Sequence, residues 1–239
     1  MEHSDEMAVS TPNETHEYST LMQIAQRRYS CRAFLPRPVP KEDIRRILEL
    51  AQRTPSWCNS QAWDVVITSG AATDRFREAL MAHVQQTGHE QPDIPFPREY
   101  VGRYRERRRE CGFALYEAVG VQRGDRAASA RQAFENFRLF GAPHVAIITT
   151  PECLGPYGAI DCGGYVSHFM LAAQSLGVAS IAQAALAGYA PFIREYFGIG
   201  DDRLVVCAIS FGYEDAGHPA NSFRTRREPI DNVVTWAED

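Results

Sequence analysis

The run Arg28-Tyr29-Ser30-Cys31-Arg32 sets two guanidinium groups four residues apart around a serine hydroxyl. That spacing suits a clamp for an anion, with one group free for the polar edge of a ring. A second polar run, Pro55-Ser56-Trp57-Cys58-Asn59-Ser60-Gln61, forms a tight turn opening directly into an apolar stretch at 63–68. There, backbone and amide groups can approach a planar ligand. Asn59 and Gln61 can equally serve as ordinary turn residues that satisfy nearby backbone groups, and the arginine run can equally be a solvated helix end.

Other chemistries are missing from the chain. No Gly-x-Gly-x-x-Gly follows a strand-like run, so no separate dinucleotide-binding site is expected. Gly-x-Ser-x-Gly, a Gly-Lys-Ser/Thr phosphate loop and His-Glu-x-x-His are also absent. The six cysteines form no Cys-x-x-Cys pair and no metal-ligand spacing with histidine, which points to reduced thiols and no metal centre. His144 and His168 sit in apolar surroundings and are expected in the core or an interface. A basic run from 98 to 109, with Tyr100 and Tyr104 interleaved, invites a nucleic-acid reading. Glu99, Glu106 and Glu110 interrupt it, however, and the chain carries a net charge of -5, so a charged surface helix with no nucleic-acid partner is expected.

Two further segments accompany these motifs in order: Gly141-Ala142-Pro143-His144-Val145-Ala146-Ile147-Ile148, and residues 161–236, which contain Arg226-Arg227-Glu228-Pro229-Ile230 near their end. Together the four segments resemble the FMN-dependent nitroreductase family. Residues 54–61 and 135–143 are most similar to members that reduce nitrobenzoates and related nitroarenes. The resemblance implies an α+β fold, with a central, mostly antiparallel sheet flanked by helices and a domain-swapped type of homodimer. It implies FMN as cofactor, NAD(P)H as reductant and a nitroaromatic substrate reduced toward nitroso and hydroxylamine. With no dinucleotide fingerprint, NAD(P)H would stack on the flavin and leave before the oxidant enters, which gives a ping-pong cycle. The alternatives are the same fold acting on a quinone, a free flavin or a halophenol, or a flavin-binding protein without turnover.

By the same resemblance, Arg28, Tyr29, Ser30 and Arg32 would contact FMN, with Arg28 and Ser30 toward the phosphate and Arg32 nearer the ring. Two of Arg224, Arg226 and Arg227 would close over the phosphate. Pro55, Ser56, Trp57, Asn59 and Gln61 would reach the flavin of the partner subunit, although Ala62 stands where the family usually has proline. Ala184 and Ala185 fall where family members present backbone N–H groups to the flavin, in place of the usual acidic-glycine pair. No protein acid is demanded. Tyr104, Phe113 and Tyr116 are candidates for the substrate side.

These residues need a scaffold, and 239 residues with 44% hydrophobic and 23% charged content suffice for one domain. The polar first residues, 1–18, read as a tail without a secretory signal, and 19–239 as the FMN-binding domain. No run of apolar residues is long enough to span a membrane, and a cytoplasmic protein is expected. Leu21, Ile24 and Ala25 have helical spacing and lead into the arginine motif. Pro40 suits a helix start, followed by an apolar stripe at Ile44, Ile47, Leu48 and Ala51. Runs at 63–68, 144–150 and 204–211 predict strands. Residues 74–139 read as helical on either side of a proline-rich loop at 91–97. The stripe Val166, Phe169, Met170, Ala173 and Leu176 ends at Gly177, a residue suited to a left-handed cap.

Overall fold

A computed structural model describes residues 15–238. Of the expected tail, residues 1–14 lie outside the described residues, and the first helix already starts at His16. The elements are helices α1 (His16–Arg27) and α2 (Lys41–Ala51), strand β1 (Asp64–Ser69), helices α3 (Ala71–Thr87), α4 (Gly102–Ala118) and α5 (Arg126–Phe134), strand β2 (His144–Pro151), helix α6 (Gly155–Ser175), strand β3 (Ala179–Gln183), helices α7 (Ala184–Ala187) and α8 (Ala190–Phe197), and strand β4 (Arg203–Gly212).

The four strands form one antiparallel sheet in the order β1-β2-β4-β3. β2 lies at its centre, and its β-branched residues are buried on both faces. Val145 and Ile147 meet Phe76, Leu80, Leu186 and Ile193 from α3, α7 and α8. Ala146 and Ile148 meet the other layer, where Ile44, Ile47 and Ala51 of α2 join Tyr165, Phe169 and Ala173 of α6. The predicted stripes are thus the buried faces of α2 and α6, as period-3.6 spacing requires. Gly177 follows α6 at φ +70°, the left-handed conformation expected of it.

His144 belongs to the scaffold. Its ring stacks on Phe211, accepts the Val39 N–H at Nε2 (2.9 Å) and donates from Nδ1 to the Thr68 carbonyl (3.2 Å). Burial pushes its pKa down, which keeps the ring neutral. All six cysteines are free thiols, and burial holds the Cys31 and Cys162 thiols up at about 11.

β3 was not anticipated from the sequence. Its residues, Ala179 to Gln183, include a single β-branched side chain and carry little strand signal. The strand exists because its backbone pairs with β4 and because the buried Gln183 satisfies both ends of its amide. Gln183 donates to the Asn136 carbonyl (2.9 Å) and accepts from Ser210 (2.5 Å).

Candidate active site

The basic motif begins where α1 stops. Arg28 leaves the helix in an extended conformation with its N–H still bonded to the Ile24 carbonyl. The chain then runs beside the edge strand β3: Ser30 forms a parallel bridge with Ser180, and the Cys31 N–H donates to the Ser180 carbonyl at 3.2 Å. This lays Arg28, Tyr29, Ser30 and Arg32 along one wall of a cleft of about 660 Å³. Phe223, Arg224, Thr225 and Arg227 form the opposite wall, and Cys111 of α4 closes it.

Asn221 holds the two walls together. Its buried amide accepts the Arg32 N–H (2.8 Å) and donates to the carbonyls of Ala33 and Asp215 (2.9 Å each). Arg224 lies over the Tyr29 ring, 3.6 Å from its centroid, and donates to the Asn221 and Phe223 carbonyls at 2.8 Å. Arg32 donates to the Ser30 carbonyl at 3.0 Å. The Tyr29 hydroxyl donates to Glu214 at 2.5 Å, and burial followed by that bond pushes its pKa up.

Among the described residues, no carboxylate lies within ion-pair distance of Arg28, Arg32, Arg224 or Arg227. Burial and then the like charge of Arg227 push the Arg28 pKa down, and burial does the same for Arg32. Four cations gathered from opposite ends of the chain, none of them in an ion pair with a carboxylate, fit a phosphate-bearing ligand. The cleft volume falls within the roughly 300–1,000 Å³ usual for small-molecule sites.

Arg226 is turned elsewhere. It forms an ion pair with Glu110 of α4 at 2.7 Å, while Arg107 pairs with Glu228 at 2.6 Å and Arg103 donates to the Asn232 carbonyl at 3.4 Å. Asn232 and then Arg107 hold the Glu228 carboxyl below its usual range. The basic run at 98–109 therefore clasps the C-terminal segment to α4, and an adjoining groove of about 920 Å³ lies between them.

The turn at 55–61 lies outside this cleft. Cys58, Asn59 and Gln61 all have positive φ (49°, 56° and 49°), a conformation that costs an L-residue about 1–2 kcal/mol. The turn persists because it is bonded at several points: the Gln61 N–H donates to Ser56 Oγ at 2.9 Å, the Asn59 N–H to the Ser56 carbonyl at 3.0 Å, and Gln52 to Gln61 Oε1 at 3.0 Å. Trp57 packs edge-on to Tyr157 of α6, at 4.1 Å between ring centroids. Trp63 is core, stacked on Tyr165.

The structure therefore brings Arg28, Tyr29, Ser30, Arg32, Arg224 and Arg227 together, and within one subunit it keeps Pro55, Ser56, Trp57, Asn59 and Gln61 apart from them. Ala184 and Ala185 open α7, where N–H groups lack helical partners. Phe113 and Tyr116 line a groove of about 490 Å³ between α4 and the loop before α5, and Tyr104 is exposed beside Arg103; none of the three lines the basic cleft. Sequence reasoning missed Asn221, Glu214, Cys111 and Asp161. A buried asparagine or aspartate bonded to a distant segment leaves no local pattern to read.

Residues 25–213 match the family model described as "Nitroreductase family". The chain is 39% identical over 225 residues to nitroreductase NfnB of Mycolicibacterium smegmatis, covering 91% of this chain and 94% of that protein. It is 33% identical over 222 residues to a 4-nitrobenzoate reductase of Nocardioides sp., covering 90% of each. The crystal structure of the FMN-dependent nitroreductase NfnB from Mycobacterium smegmatis in complex with NADPH superposes with a TM-score of 0.85 at 35% identity, covering 91% of this chain and all of that one. A family model matched over residues 25–213, with relatives 33–39% identical across about nine-tenths of the chain and a solved relative of the same fold, makes this chain a member of the nitroreductase family.

Proposed function

We propose that the protein is an FMN-dependent oxidoreductase that takes hydride from NAD(P)H and passes it to nitroaromatic compounds in a ping-pong cycle. The observation that carries this reading is the convergence of Arg28, Arg32, Arg224 and Arg227 on one cleft without a carboxylate, in a chain of this family. Arg28, Ser30, Arg224 and Arg227 would hold the FMN phosphate; Arg226, already paired with Glu110, is left out of that set. Arg32 stands in the wall between this cleft and a groove bordered by Phe34, Phe140 and Gly141, where its charge can face the polar edge of a ring. Ala184 and Ala185 offer backbone N–H groups. FMN, when bound, supplies a ring that takes up a hydride and returns it to an electrophile. Protons come from solvent.

Two copies complete the site. Tyr18, Leu21 and Met22 of α1, Tyr157 and Ile160 of α6, and Trp57 are exposed apolar groups on one subunit, more than a lone chain tends to leave uncovered. A dimer that buries them would bring Pro55, Ser56, Trp57, Asn59 and Gln61 to the partner's flavin. Tyr104, Phe113 and Tyr116 on α4 stand on the substrate side of this reading. No helix among the described residues is long and apolar enough to cross a membrane, and we place the enzyme in the cytoplasm.

Initial rates test the proposal. With NAD(P)H varied at several fixed nitroarene concentrations, the double-reciprocal plots should be parallel, and anaerobic NAD(P)H alone should bleach the flavin. Intersecting plots, with bleaching only when the nitroarene is present, would mean separate sites. Reoxidation by a quinone or halophenol but by no nitroarene would keep the fold and change the substrate. Sedimentation at micromolar protein should give one species of twice the chain mass.

A further inference from the structure

Asp161 lies on α6, far in sequence from both motifs, and the residue is only 9% exposed. No cation stands within ion-pair distance of it among the described residues. A buried carboxylate without a cation persists only where donors compensate it, and here the donors come from the strained turn. The Trp57 N–H reaches both carboxylate oxygens at 3.2 Å, and the Ser60 hydroxyl donates to Oδ2 at 3.2 Å. These two donors bracket the left-handed residues Cys58 and Asn59.

The close approach is written into α6. At Gly164 an added Cβ would come within 3.0 Å of the Thr54 side chain, and at Gly158 within 2.4 Å of Thr150. Glycine at both positions lets α6 lie against β2 and against the residue that leads into the turn. The carboxylate then grips the turn from beneath, while Trp57, Cys58 and Asn59 remain exposed above.

We propose that Asp161 is a positioning residue for the active site: it fixes the 57–61 turn in the left-handed shape that contacts FMN across the dimer. This inference rests on the FMN-dimer reading above. Asp161 touches neither cofactor nor substrate and acts only through the Trp57 N–H and the Ser60 hydroxyl.

The test is FMN titration of apoprotein by flavin fluorescence, with melting temperature and sedimentation measured on the same samples. Asp161→Ala should remain a dimer and bind FMN about tenfold or more weakly, as expected for loss of a charged acceptor. Asp161→Asn, which keeps one acceptor oxygen, should fall between it and the parent protein. Ser60→Ala leaves α6 untouched and should weaken FMN binding less, and combining it with Asp161→Ala should add little. This non-additivity is the signature of a shared bond. A lowered melting temperature with unchanged FMN affinity in all three variants would make Asp161 merely structural and overturn the inference. Should Asp161→Ala fail to fold, Asp161→Asn and Ser60→Ala decide by the same readout. Failure of the parent apoprotein to bind FMN would instead overturn the flavin reading itself.

Discussion

The basic cleft and the 57–61 turn are built on opposite plans. In the cleft, ordinary backbone carries unusual charge: Arg28 and Arg32 follow an extended chain paired to β3, and among the described residues the cations from both ends of the molecule face one another with no carboxylate in ion-pair distance. In the turn, ordinary side chains ride on unusual backbone, with Cys58, Asn59 and Gln61 left-handed and a buried carboxylate beneath them. Side-chain chemistry makes the first region a site, and shape makes the second one. The two should therefore respond to different kinds of substitution.

The largest effect is expected in the cleft. Arg28→Ala should cost about 1.5–3 kcal/mol of FMN affinity, the range for a charge-assisted bond. Because Arg28 and Arg227 repel each other before an anion arrives, Arg28→Ala should raise apoprotein stability slightly while weakening FMN binding. An affinity unchanged in calorimetric titration would remove the cleft from the flavin site.

The scaffold beneath both regions gives the next largest effect. His144→Phe keeps a ring against Phe211 but leaves the buried Val39 N–H without an acceptor, at a cost of about 1–3 kcal/mol. The sign of its pH dependence follows from the lowered pKa. The unfolded ring binds its proton first, at its ordinary value of 6.5. The His144 contribution is therefore full above that pH and is lost as pH falls from there through the lower folded value. Denaturant melts at about pH 7.5 and about pH 5 should show a shallower acid decline in His144→Phe than in the parent protein.

A sharper contrast comes from Cys58→Gly. Glycine accepts positive φ at little cost, so this change should stabilise the fold by about 1 kcal/mol, read as a rise in melting temperature. An alanine at the same place should give no such gain. Equal melting temperatures for the glycine and alanine variants would mean that the turn stores no strain at Cys58.

The smallest effect belongs to the clasp. Arg226→Ala removes an exposed pair with Glu110 and should change stability and FMN affinity by under about 0.5 kcal/mol. Set beside Arg28→Ala in the same titration, it separates a clasping arginine from one that faces the cleft.

How far the sequence could be read follows from the same contrast. Charge is visible residue by residue, so the arginine motif and the late cluster stood out, and the clustering of apolar residues located α2, α6, β1, β2 and β4. β3 stayed hidden because Ala179, Ser180, Ala182 and Gln183 carry no strand signal, and pairing with β4 decides their conformation. The division of labour among Arg224, Arg226 and Arg227 depends on where Glu110 sits, a tertiary fact. Left-handed Cys58 was invisible because that conformation is usually announced by glycine or asparagine, and Asp161 looked like any polar residue on a helix. Leu21, Ile24 and Ala25 marked α1 as a helix, yet nothing local showed that Leu21 and its neighbour Met22 would remain uncovered on one subunit.

The identity of the released flavin tests the basic cleft most directly. Purified protein should be yellow, and denaturing it should release non-covalent FMN in proportion to chain, because the arginines and Ser30 form a phosphate site with no adenine-binding module beside it. Release of FAD, or of no flavin even after reconstitution with FMN, would contradict the assignment.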